Sequence, residues 1–92
     1  MSFDSYLEKN WKISPGFRLQ WEEAQQKNVL LYPEGMVKLN ESAAEILKLC
    51  DGAHRMEEII FLLEAQVDNI DIRDDVIDFL RGAYERHWII PV

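Results

Sequence analysis

The stretch Val29-Leu-Leu-Tyr-Pro-Glu-Gly-Met-Val-Lys-Leu-Asn-Glu-Ser-Ala-Ala-Glu-Ile-Leu-Lys-Leu-Cys-Asp-Gly52 decides the fold. Val29 to Tyr32 and Met36 to Leu39 are short runs of strand formers. Between them Pro33-Glu34-Gly35 supplies a fixed φ followed by a permissive glycine, so the stretch predicts a hairpin. Asn40 or Ser42 then caps a helix, with Ser42 and Glu45 spaced as a capping box, and Asp51-Gly52 closes it. No later segment obviously pairs with the second strand of this hairpin. An open strand edge beside helices is a geometry that binds extended peptides.

Upstream, Phe17, Leu19 and Trp21 alternate with Arg18, Gln20 and Glu22, which predicts a half-exposed strand. A polar connection from Glu23 to Asn28 turns it back onto Val29 to Tyr32. The result is a three-stranded meander whose edges are Phe17 to Glu22 and Met36 to Leu39. Downstream the periodicity becomes helical. Ile46, Leu47, Leu49 and Cys50 mark the inward side of a first helix, and Met56, Ile59, Ile60, Leu63 and Val67 the inward stripe of a second. A third helix starts near Ile72, with Asp71 as N-cap and Asp74 and Asp75 complementing the dipole. Ile72, Val76, Leu80, Ala83 and His87 form one line along it, and Arg73, Ile77, Leu80, Arg81 and Tyr84 a neighbouring one. A core stripe needs no arginines, so the second line is expected to border a groove. Trp88 to Val92 is an apolar tail that either adds a strand or packs on the sheet. Phe3, Tyr6, Leu7 and Trp11 fall at helical spacing in residues 1–14, an N-terminal arm that is either a docked short helix or flexible, ahead of a domain over 15–92. The fold class is α+β, winged-helix-like, with a three-stranded antiparallel meander followed by three α-helices.

Ninety-two residues, 48% of them hydrophobic, suffice for one core. A net charge of -7 argues against nucleic acid and anionic membrane as partners, since both need basic patches. One cysteine excludes an intramolecular disulfide, and the absence of a signal pattern or a spanning apolar run predicts a cytoplasmic protein. Cys50, His54 and His87 lack a fourth ligand at a metal-binding spacing, so Cys50 reads as a buried inert thiol. The acidic run Asp68 to Asp75 has Arg73 where a calcium loop needs glycine and lacks the closing glutamate. No phosphate-cradling glycine loop is present, and no metal or cofactor is expected. Trp11, Trp21 and Trp88 are core or interface residues, which leaves a homodimer open.

Leu31-Tyr-Pro-Glu-Gly-Met-Val37, Leu39-Asn-Glu-Ser-Ala-Ala44 and Leu49-Cys-Asp-Gly52 together resemble the pyrroloquinoline quinone biosynthesis protein D family. The likeness reaches back through Pro15-Gly-Phe-Arg-Leu-Gln-Trp21 and forward over Val76 to Trp88. It implies a peptide-recognition domain over 15–92, of the kind that serves as recognition element for ribosomally made, modified peptides. By that resemblance the protein is a non-catalytic chaperone. It holds the precursor peptide PqqA by strand addition and presents it to the radical S-adenosylmethionine enzyme PqqE, which crosslinks a Glu and a Tyr of the peptide. The guest would pair with Met36, Val37, Lys38 and Leu39, flanked by Arg73, Ile77, Leu80, Arg81 and Tyr84.

Read without the resemblance, the strand is first an edge guarded by its shortness and Lys38, the two arginines are first surface partners of Asp74, Asp78 or Glu85, and Ile77 and Tyr84 are equally core residues. The alternative function is a winged-helix DNA-binding regulator, although the third helix sets Arg73, Arg81 and Arg86 against Asp74, Asp75, Asp78 and Glu85. An enzyme acting alone would need a nucleophile, metal set or carboxylate pair that the sequence does not single out.

Overall fold

The computed structural model describes residues 2–68 and 71–92. Asn69 and Ile70, within the acidic run read above, lie outside the described residues. The meander is present as β2 (Arg18–Glu22), β3 (Lys27–Tyr32) and β4 (Gly35–Lys38), in the order β2-β3-β4 and antiparallel throughout. A two-residue turn at Pro33 and Glu34 sets the register Tyr32↔Gly35, Leu31↔Met36, Leu30↔Val37, Val29↔Lys38. That register puts Leu30, Val37 and Leu39 on the core side of the sheet. Three helices follow: α1 (Glu41–Lys48), α2 (Met56–Gln66) and α3 (Arg73–Glu85). The expected class, a meander followed by three helices, is therefore the observed one.

Four local expectations are corrected. Asn40 caps α1, its Oδ1 accepting from the Ala43 N–H at 2.8 Å, so the Ser42 and Glu45 spacing makes no capping box. Asp51-Gly52 does not end α1, which stops at Lys48; instead Asp51–Arg55 is a strand, β5. The α3 N-cap is Ile72 rather than Asp71, although the Asp71 carboxylate still accepts from the Arg73 N–H at 3.2 Å. At the other end His87 is exposed and takes the left-handed conformation (φ +65°) that closes α3, so it is not part of the core line.

The largest difference concerns the chain outside the meander. Among the described residues near the start only Phe3–Tyr6 is helical, as a single 3-10 turn, and Trp11 belongs to a strand, β1 (Asn10–Ile13). The strand β6 (Ile89–Pro91) lies on one side of β1 and β5 on the other, which forms a second antiparallel sheet of order β5-β1-β6. Trp11 is fully buried at its centre, stacked on Phe3 at 5.3 Å and edge-on to Tyr6 and Tyr84. The apolar tail Trp88 to Val92 thus adds a strand to this sheet and not to the meander. One core joins the two sheets, running through Trp11, Leu30, Leu47, Ile59, Leu80 and Ile89. The α2 stripe read from the sequence is buried at Met56, Ile59, Ile60 and Leu63, with Val67 half-buried at its end.

Candidate functional site

The β4 edge is open, because among the described residues β4 pairs with β3 alone. Leu39 N–H donates to the Asn28 carbonyl at 3.1 Å, which fixes the alternation of the ladder. Residues two apart on an antiparallel strand point their backbone groups the same way, so Val37 and Leu39 face β3. Met36 and Lys38 consequently direct their N–H and C=O groups away from the sheet. An incoming strand would find four backbone hydrogen-bonding groups on these two residues.

Beyond Leu39 the chain enters α1, and a cleft of about 460 Å³ opens between the three helices there. Ala43 and Ile46 from α1, Leu63 and Val67 from α2, and Ile72, Val76 and Phe79 from α3 line it. The spacing of Ile72, Asp75, Val76 and Phe79 turns one face of the first two turns of α3 toward α1. Carboxylates of Glu41, Glu45 and Asp75 stand around the cleft, opposed by the positive N-terminal ends of α1 and α3. Glu45 is tied to Lys48 at 2.8 Å.

The residues anticipated on α3 lie elsewhere on that helix. Leu80 is 0% exposed, so its side chain is core and unavailable to a surface guest. Arg73 holds the Glu57 carboxylate of α2 in a two-pronged ion pair, one arm of which spans 3.0 Å. This contact holds the Glu57 carboxyl below the usual glutamate range. Arg81 reaches Asp4 at 3.4 Å and Asp78 at 3.7 Å, with its guanidinium 5.3 Å from the Phe3 ring centre. Tyr84 joins the aromatic group of Phe3, Tyr6 and Trp11, where loss of hydration and then the neighbouring Tyr6 push its phenol up. Ile77 is half-buried against the core. None of these five lines the cleft beside β4. Of the four expected strand residues, Met36 and Lys38 are exposed, Val37 is half-buried and the Leu39 side chain is buried. Ile72, Asp75, Val76 and Phe79 were missed as cleft residues, although their i, i+3, i+4, i+7 spacing was available as a signal.

Other chemistry is disfavoured by its surroundings. Burial, then the adjacent Asp51, pushes the Cys50 thiol up to about 12, and its Sγ contacts the Ile46 carbonyl at 3.5 Å. A group so far from ionising makes a poor nucleophile. Among the described residues no three His, Cys, Asp or Glu side chains gather as a metal site, and no helix is long and apolar enough to cross a membrane. The DNA-reader alternative is not favoured, because the arginines of α3 are engaged with Glu57 and Asp4 while Arg86 lies over the Trp88 ring.

The family model described as coenzyme PQQ synthesis protein D matches residues 27–89, the span from β3 to the first residue of β6. The chain belongs to the PqqD family. A PqqA binding protein of Methylococcus capsulatus is 51% identical over 78 residues, covering 85% of this chain and 84% of its own. PqqA binding protein 1 of Pseudomonas putida is 46% identical over 91 residues, with 98% of each chain covered. The solution structure of the PqqD part of Methylobacterium extorquens PqqCD superposes with a TM-score of 0.72, at 29% identity and 87% coverage of both chains. That PqqD is described as a functional and stand-alone RiPP recognition element. That PqqD thus shares the α+β architecture as well as the sequence.

Proposed function

We propose that the chain is a non-catalytic peptide chaperone of PQQ biosynthesis, which binds the precursor peptide PqqA as an added strand along β4 and presents it to the radical S-adenosylmethionine enzyme PqqE in the cytoplasm. The observation that carries this reading is the open β4 edge, with the outward backbone groups of Met36 and Lys38 leading into an apolar cleft. Backbone pairing gives affinity for any extended segment, and a neighbouring pocket for alternate side chains gives choice among them. The PqqA-binding relatives supply the guest's identity. A peptide held along one edge keeps its far backbone edge and half its side chains accessible to an enzyme. The outer edge strand β2 is a less suitable host, since it does not run into the cleft.

The test is a proline scan of β4, followed by amide chemical shifts during titration with PqqA. Met36→Pro and Lys38→Pro remove outward N–H groups that the fold does not use, so both variants should stay folded and lose affinity for the peptide. Val37→Pro removes an N–H bonded to β3 and should disturb the hairpin itself. Normal PqqA binding by folded Met36→Pro and Lys38→Pro proteins would rule out strand addition at this edge. Presentation is tested separately, because Glu-Tyr crosslinking by PqqE should slow when the chain is omitted.

A further inference from the structure

Directly paired residues share a face of the sheet, so Lys38 lies on the same side as Val29 and Gln20, and Met36 on the same side as Leu31 and Arg18. Val37 and Leu39 project to the opposite side, toward the helices. A strand added to β4 obeys the same alternation whichever way it runs. The guest residue level with Lys38 must project onto the outer face. Its two neighbours in the guest turn toward the helices, and the one level with Leu39 stands where the cleft opens at Asn40.

Lys38 is exposed, and among the described residues its ammonium takes part in none of the ion pairs, which use Lys48, His54, Arg55, Arg73 and Arg81. Beside it on that face Val29 is fully buried and Met36, two residues back, is 44% exposed, while on β2 the Arg18 guanidinium donates to Gln20 Oε1 at 2.8 Å. A lysine on an edge ordinarily keeps other strands away, since an apolar strand would crowd the ammonium and strip its water. A strand bringing a carboxylate to the same place meets a charge-assisted contact instead.

We propose that Lys38 is the specificity-determining residue of the guest edge: it admits strands that carry an Asp or Glu opposite it, with an apolar residue next to that acid entering the cleft. This rests on the strand-addition reading above. The guest is then read on both faces of the sheet, by charge outside and by apolar fit inside.

Calorimetric titration of synthetic PqqA peptide into the wild type and into Lys38→Arg, Lys38→Met and Lys38→Glu, at low and at high salt, tests it. Arginine should keep the affinity within about threefold, methionine should lose about tenfold together with much of the salt dependence, and glutamate should lose more. Peptides in which each Asp or Glu is changed in turn to Lys are then titrated into the Lys38→Glu protein. One of them should restore binding, and the residue after or before that position should be apolar. Unchanged affinity in the Met and Glu variants overturns the role of Lys38 while leaving peptide binding intact. Weakened binding that no single peptide rescues also overturns it, because Lys38 would then act only through the general field. A wild type that fails to bind PqqA removes both this inference and the function on which it rests.

Discussion

Gly82 occupies the interior of α3, where glycine costs up to about 1 kcal/mol relative to alanine. A Cβ there would meet the Arg86 Nη1 at 2.8 Å and no backbone of another element, so the position is crowded only by the far end of a flexible side chain. Gly82→Ala should therefore shift stability by less than about 1 kcal/mol, the helix gain being offset by displacement of Arg86 from the Trp88 ring. In an Arg86→Ala background the same change should show the helix gain undiminished, as denaturant unfolding of the four proteins of the cycle can check. A large loss in both backgrounds would mean that something else approaches this turn. The contacts of the α3 arginines show the reach of residue-scale reading. The arginine-bearing line is the better groove candidate on sequence because cores exclude arginine, and in the structure Arg73 and Arg81 meet acidic partners on α2 and near the start of the chain. Those partners lie 16 and 77 residues away, beyond what helical spacing can reveal.

At the scale of elements, the Arg73 and Glu57 pair ties α3 to the first turn of α2. Because the Glu57 carboxyl titrates lower in the folded protein than in the unfolded chain, the tie is fully present above the ordinary glutamate value of about 4.3. It is lost as pH falls through the lower, folded value. The stability difference between the wild type and Glu57→Gln should thus be visible at neutral pH and vanish in strong acid, with a small amplitude because both side chains are half-exposed. A difference that grows on acidification would contradict the pairing. The elements themselves were legible in proportion to their local signal. The β3-β4 hairpin announced itself through Pro33-Glu34-Gly35 between two β-rich runs, and α2 through its apolar stripe. In contrast, Asp51-Gly-Ala-His-Arg55 contains no strong strand former and is a strand because β1 lies alongside it. Trp11 misled for the opposite reason: its helical spacing from Phe3 and Tyr6 is real, but the three rings meet across a 3-10 turn and a strand.

Over the whole molecule, the single core predicts a single transition. Trp11 of the second sheet and Leu30 of the meander belong to one buried cluster, and α1, α2 and α3 contribute to it as well. Amide exchange should report the same opening free energy at Trp11 and at Leu30, and denaturant unfolding should follow one sigmoid by fluorescence and by circular dichroism. Separate transitions for the two sheets would show that the meander stands alone. The second sheet also imposes an order in time. Trp11 pairs with Pro91, so the central strand acquires its last neighbour only when residues made eighty positions later emerge. At about 5 to 20 residues per second, translation leaves β1 and its tryptophan without that neighbour for roughly 4 to 16 seconds. During its own synthesis the chain is thus in the position of an unfinished client, its central strand open on the side that β6 later takes.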